Sequence, residues 1–296
     1  MPQPSRVSHE KIIAAYTLAK KHVQNIVSSL DAKDHGDILN AWVSFIEHKA
    51  LAVLLRVPDD ADAYKMFETL NDRGLRTSQA DLIKNYLFGR SRERVPEVQG
   101  RWAYMRGTLE SLDDEDMTVN FLRHALIVLR GYLTAAEVYD VVQEIVKSEQ
   151  SAVTFVSTLE TLANSYVAAS NPEHERWNTY PDAVRRAIEV FNLLNIQPMR
   201  PLLLAIAAKL GGKEASLALQ FMLSLGVRLI IASTTRSGSV EIPLANAAKG
   251  VFDGSIKDAL SLKALLSGIT PNNQEFREAF EVARVSNAKF ARYYLR

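Results

Sequence analysis

The 296 residues contain no cysteine. Disulfides, thiolate metal ligands and cysteine nucleophiles are thereby excluded, and the composition fits a reducing compartment. An excess of one charge is missing as well: 35 Lys and Arg face 34 Asp and Glu, a formal +1. No global field draws the chain to nucleic acid or to an anionic membrane, so any DNA contact has to come from a local patch. The first residues, MPQPSRVSHEKIIAAYTLAKKHV, lack the apolar core of a signal segment. No later stretch approaches the ~18 apolar residues that a membrane span needs. The expected protein is cytoplasmic, with no membrane partner. Neither a Walker A pattern nor Gly-x-Ser-x-Gly occurs, which leaves no phosphate cradle and no serine nucleophile of the familiar kinds. The six histidines, at 9, 22, 35, 48, 124 and 174, include four spaced by 13. Thirteen helical steps do not return to one face, so they are read as surface residues rather than metal ligands.

What the chain does have is apolar content, 47% against 23% charged residues, enough for one large core or two ordinary ones. Its dominant signal is helical periodicity. Ile12, Ile13, Tyr16, Ala19 and Val23 form one stripe, Val119, Leu122, Leu126 and Leu129 a second, and Val184, Ile188, Phe191 and Leu194 a third. Prolines and glycines fall mostly between such runs, as at Pro58, Pro96, Gly131, Pro172, Pro181, Pro198, Gly211, Gly254 and Pro271. No repeat is visible. The fold class is therefore mainly α, a multi-helix bundle, divided into residues 1–110 and an all-helical 111–296. One stretch stands apart: Leu51-Ala52-Val53-Leu54-Leu55-Arg56-Val57, closed by Pro58, reads as a short buried β-strand. Without a second strand it would be an orphan edge through which the chain self-associates. The alternative is one helix over 37–57.

Residues 64–85, YKMFETLNDRGLRTSQADLIKN, break a helical pattern and restart it. Gly74 suits a left-handed helix end, where Leu75 would pack on Leu70. Ser78 and Asp81 form an [ST]-x-x-[DE] box that opens the next helix, with Leu82, Ile83, Tyr86 and Leu87 as its apolar face. These roles leave Asn71, Asp72, Arg73, Lys84 and Asn85 as polar groups gathered at a tight corner.

The pattern Phe67, Asn71, Gly74, Ser78, Asp81, Leu82, Lys84 and Asn85 resembles the signature of a domain-of-unknown-function family, the ParB-like front module of GmrSD-type modification-dependent restriction enzymes. The resemblance extends more loosely to the segment at 51–57, Pro201-Leu202-Leu203-Leu204, Arg228 to Arg236, and Phe290 to Leu295. Members of that family begin with a nucleotide-hydrolysing domain bearing Asp-Gly-Gln-Gln-Arg, and many end in a His-Asn-His nuclease. Neither motif is in these 296 residues: the single Asp-Gly, Asp253-Gly254, is followed by Ser255. The resemblance thus implies a helical core from a phage-defence, restriction-modification protein, non-catalytic by itself, whose ParB-like and nuclease domains are partners in cis or trans. Strand 51–57 would be a remnant of the lost sheet. The corner of Asn71, Asp72, Arg73, Gly74, Lys84 and Asn85 would face a nucleotide, with Asn71 and Arg73 as its main contributors. A nucleotide triphosphate and a divalent metal are implied for the full-length family and not for this chain alone.

Two further clusters are legible. Between Lys84 and Arg106 lie Arg90, Arg92, Arg94 and Arg101, with Trp102 among them, a possible nucleic-acid patch because interleaved cations and aromatics can neutralise phosphates and stack bases. Asp113-Asp114-Glu115-Asp116 precedes Met117 and is read as acids at the positive end of a helix, not as a metal site. The other reading of the whole chain is a free-standing helical adaptor or regulator that binds a partner protein.

Overall fold

The computed structural model describes residues 7–28, 30–49, 78–112, 117–232, 240–284 and 290. Among them it is built from α-helices and short 3-10 turns, with no strand. The mainly α expectation holds. The orphan strand is not borne out: no strand occurs among the described residues, and 51–57 itself lies outside them. The chain divides into two units, Met1–Arg76 and Thr77–Arg296, so the expected division near residue 110 falls inside the second unit, for a reason given by its core.

The first unit contributes α1 (Val7–Val27) and α2 (His35–Lys49), which pack on each other. None of their described side chains is buried. The second unit holds eleven described helices: α3 (Gln79–Arg90), α4 (Val95–Leu109), α5 (Met117–Arg130), α6 (Val138–Ile145), α7 (Glu149–Ser170), α8 (Asp182–Leu194), α9 (Arg200–Lys209), α10 (Gly212–Ile231), α11 (Glu241–Asp253), α12 (Ala259–Leu265) and α13 (Asn273–Val282). A single apolar core runs through this unit from Ala80 to Leu266. Val98, Trp102, Met105 and Leu109 of α4 pack into it, chiefly against α7. A boundary at 110 would cut α4 away from the surface that buries it.

At the centre is α9. Seven consecutive residues, Pro201 to Ala207, are buried, because the helix is surrounded by α5, α7, α10 and α11. A helix that is apolar all round belongs in a core, and each fully buried Leu or Ile there contributes roughly 2 kcal/mol. Pro201 opens it without loss, since the first turn has no intrahelical partner for its missing N–H. Other ends are set locally. Ser148 and Ser151 form a reciprocal capping box at α7, Asn272 and Glu275 another at α13, and Asp258 caps α12. Asn195 and Gly254 close α8 and α11 in the left-handed conformation. By length and composition α10 could cross a membrane, but half of its apolar window is buried inside the structure, against α8 and α12 among others. That is how a core helix behaves.

Candidate functional site

The corner expected to carry the chemistry is described only on its second side. Phe67, Leu70, Asn71, Asp72, Arg73, Gly74 and Leu75 lie outside the described residues. On α3 the helix start is as anticipated: Ser78 has extended backbone, and its hydroxyl oxygen accepts the Asp81 N–H at 3.2 Å. The Asp81 carboxylate accepts from the Ser78 hydroxyl at 2.9 Å and from Lys84 Nζ at 2.7 Å. Desolvation pushes the Asp81 pKa up, but the hydrogen bonds from Lys84 and Ser78 and the charges of Lys84 and Arg106 outweigh it and leave it lowered. Ala80, Ile83, Tyr86 and Leu87 turn into the core, while Asn85 is exposed. Asp81, Lys84 and Asn85 thus make a polar rim at the start of α3, with Lys84 held by an acid.

The run from Arg90 to Arg106 is largely spent on internal contacts. Arg94 donates to Glu97 at 2.6 and 2.9 Å and to Gln150 at 2.8 Å, and Arg101 donates to Glu160 at 2.6 Å and to Glu97 at 3.3 Å. The hydrogen bond from Arg94, offset in part by desolvation, holds the Glu97 carboxyl below its ordinary range. Arg90 lies over the Tyr86 ring at 5.2 Å. Trp102 is 4% exposed and Tyr86 6%, so neither can stack a base; Tyr104, at 53%, can. Two of the expected cations are therefore neutralised by Glu97 and Glu160, and Trp102 is a core residue. Arg92 and Arg106 remain exposed. Arg90 and Arg92 share the rim of a cavity of about 380 Å³ with Lys147 and Glu149.

A second cavity, of about 310 Å³, escaped the sequence reading. Asn120, Arg123, His124 and Ile127 of α5, Tyr132 beyond it, Gln197 and Pro198 before α9, Pro201 on it, and Glu241 and Ala245 of α11 line its walls. His124 is 6% exposed, contrary to its expected place at the surface. Its Nδ1 is 3.0 Å from the Tyr166 hydroxyl, and the Tyr166 ring meets Phe121 edge to face. Burial, reinforced by the charges of Arg123 and Arg200, lowers the His124 pKa to about 3, so the ring is neutral at physiological pH. A histidine within helical spacing of apolar neighbours was the available signal, but the 13-residue spacing tests only whether histidines share a face.

Among the described residues no group of three or more His, Asp or Glu side chains is placed to hold a metal ion. No family model and no curated protein matches the chain.

Proposed function

We propose that the chain is the non-catalytic helical core of a GmrSD-type restriction system acting in phage defence in the cytoplasm, which completes a nucleotide site on a ParB-like domain supplied in cis or trans. The observation that carries this reading is the α3 start. Ser78, Asp81, Leu82, Lys84 and Asn85 stand in the spacing of the family signature, with Leu82 turned inward and the polar members outward. Asn71 and Arg73 would orient a phosphate from one side. The metal-holding carboxylates and the nucleophilic water would come from the partner domain, because phosphoryl transfer needs both positioned in advance. DNA contact would fall to the exposed Arg92 and Arg106 rather than to Arg94 and Arg101.

The test is reconstitution. A family ParB-like domain mixed with this chain should bind nucleotide triphosphate more tightly than either part alone, measured by calorimetry, and Asn71→Ala should remove the gain while leaving the helical circular dichroism intact. A mixture that binds no better than its parts refutes the reading.

A helical adaptor is the second reading, favoured by a specific observation. Ile12, Tyr16, Leu18 and Val23 of α1 and Trp42, Val43, Phe45 and Ile46 of α2 are each at least 41% exposed, an apolar surface of the kind that marks interaction sites. On this reading α1 and α2 bind a protein partner, and Phe45→Lys abolishes that complex with nucleotide having no influence on it.

A further inference from the structure

Arginine is rarely left in a protein interior without a carboxylate, since desolvating a guanidinium that has no counter-charge costs several kcal/mol. The second unit contains two partly buried arginines without one. Arg200, on the central helix, is partly buried, and desolvation lowers its pKa although it stays charged. Its hydrogen bonds go to neutral amides, Asn192 Oδ1 at 3.2 Å and Asn195 Oδ1 at 3.4 Å. Arg123 is less provided for. Its Nε is buried with no hydrogen-bond partner, and its Nη2 reaches only the Leu133 carbonyl at 3.5 Å, the limit of a hydrogen bond. Neither arginine forms an ion pair among the described residues. Both charges are felt by His124, which, like Arg123, lines the 310 Å³ cavity.

Three other arginines of this unit show the contrast, whereas Arg176 shares the buried, unpartnered Nε but lines neither of the two cavities described above. Arg94, Arg101 and Arg185 each meet a glutamate at 2.6 to 3.1 Å. Arg123 lines the cavity without forming an ion pair among the described residues, and a cavity of this size holds a small molecule.

We infer that the cavity between α5, α9 and α11 is a binding site for a small oxyanion, a carboxylate or a phosphate group, which docks on the Arg123 guanidinium. Arg123 offers a planar fork of donors suited to two oxygens at once. Arg200, whose charge also reaches the lining residue His124, adds to the positive potential there. Asn120, Gln197 and the Tyr132 hydroxyl supply neutral hydrogen-bonding groups on the walls. Among the described residues Glu241 is the one acid that lines it; it opposes a second negative charge and favours ligands that also carry a hydroxyl or amine. The site uses no residue of the α3 corner, so it stands or falls separately from the restriction reading.

Calorimetric titration of the whole chain with sodium phosphate, and in parallel with sodium acetate, both at fixed ionic strength, tests this. Saturable binding of at least one anion is expected. Tighter phosphate assigns a phosphoryl ligand and tighter acetate a carboxylate one. Arg123→Gln should weaken the preferred anion by about tenfold or more, the loss of one charge-assisted contact, while Arg94→Gln, whose cation lies outside the cavity, should leave it unchanged. Glu241→Gln should tighten it by about threefold, since one opposing charge is gone. Glu241 is at the first turn of α11 and only partly buried, so this variant decides the matter if Arg123→Gln fails to fold. No saturable binding by the wild-type chain, or equal affinity in the wild type and both cavity variants, overturns the assignment.

Discussion

The stripe on α1 and the stripe on α8 obey the same helical spacing and come to opposite ends. Val184, Ile188, Phe191 and Leu194 are all buried, at 5% exposure or less, against α10 and α7. Ile12, Tyr16 and Val23 are 67, 53 and 43% exposed. Periodicity tells which side of a helix seeks cover, and another part of the molecule decides whether cover is there. In the second unit one central helix, α9, already gives four neighbouring helices something to pack around.

The largest test of this contrast is truncation in each stripe. Phe191→Ala should destabilise the protein by about 3 to 4 kcal/mol in denaturant unfolding, a core cavity cost, whereas Ile12→Ala should stay within about 0.5 kcal/mol. A comparable loss at Ile12 would break the comparison by showing that α1 is covered in solution.

Acid sharpens it from the polar side. His124 has a pKa of about 3 in the folded protein against about 6.5 when unfolded. Between those values the unfolded chain carries a proton that the folded chain does not. Stability is therefore full above pH ~6.5 and falls as the pH drops toward 3, by about 1.4 kcal/mol per unit from this group. His124→Gln should flatten the slope between pH 6 and pH 4.5 relative to wild type, read from urea midpoints; an identical slope would mean that the ring is solvated.

Two glycines compare a tight and an open setting. A Cβ at Gly226 of α10 would stand 2.9 Å from Ile196 Cδ1 and 3.3 Å from Met199 Sδ, whereas at Gly100 of α4 nothing lies within 4 Å. Gly226→Ala should cost about 1 to 2 kcal/mol through overpacking, and Gly100→Ala should gain about 1 kcal/mol from helix propensity, both by thermal denaturation.

The smallest expected effect is at the cap. Ser78→Ala removes the acceptor for the Asp81 N–H and should cost about 1 kcal/mol, with Ser78→Asp restoring most of it.

These features differ in how far the sequence discloses them, and the reason is distance along the chain. The Ser78 cap and the α8 stripe are local, and both were legible. Trp102 was read as a stacking residue because an aromatic among arginines looks the same whether it faces solvent or core; only α7, fifty residues on, decides it. Glu160, which takes Arg101 away from the surface, is equally remote. The cavity needs Arg123, Pro201 and Glu241 from three helices, and no spacing rule joins them. α9 itself has no stripe to detect, since it is apolar on every side.

The central claim is that the chain holds half of a nucleotide site and no catalysis of its own. It is tested most directly by measuring phosphate release from nucleotide triphosphates with magnesium or manganese, for the purified chain alone and with a family ParB-like domain added. The account predicts no turnover by the chain alone, turnover in the mixture, and a slower rate for Asn71→Ala or Arg73→Ala with folding unchanged. Metal-dependent turnover by the single chain, indifferent to both substitutions, would contradict it.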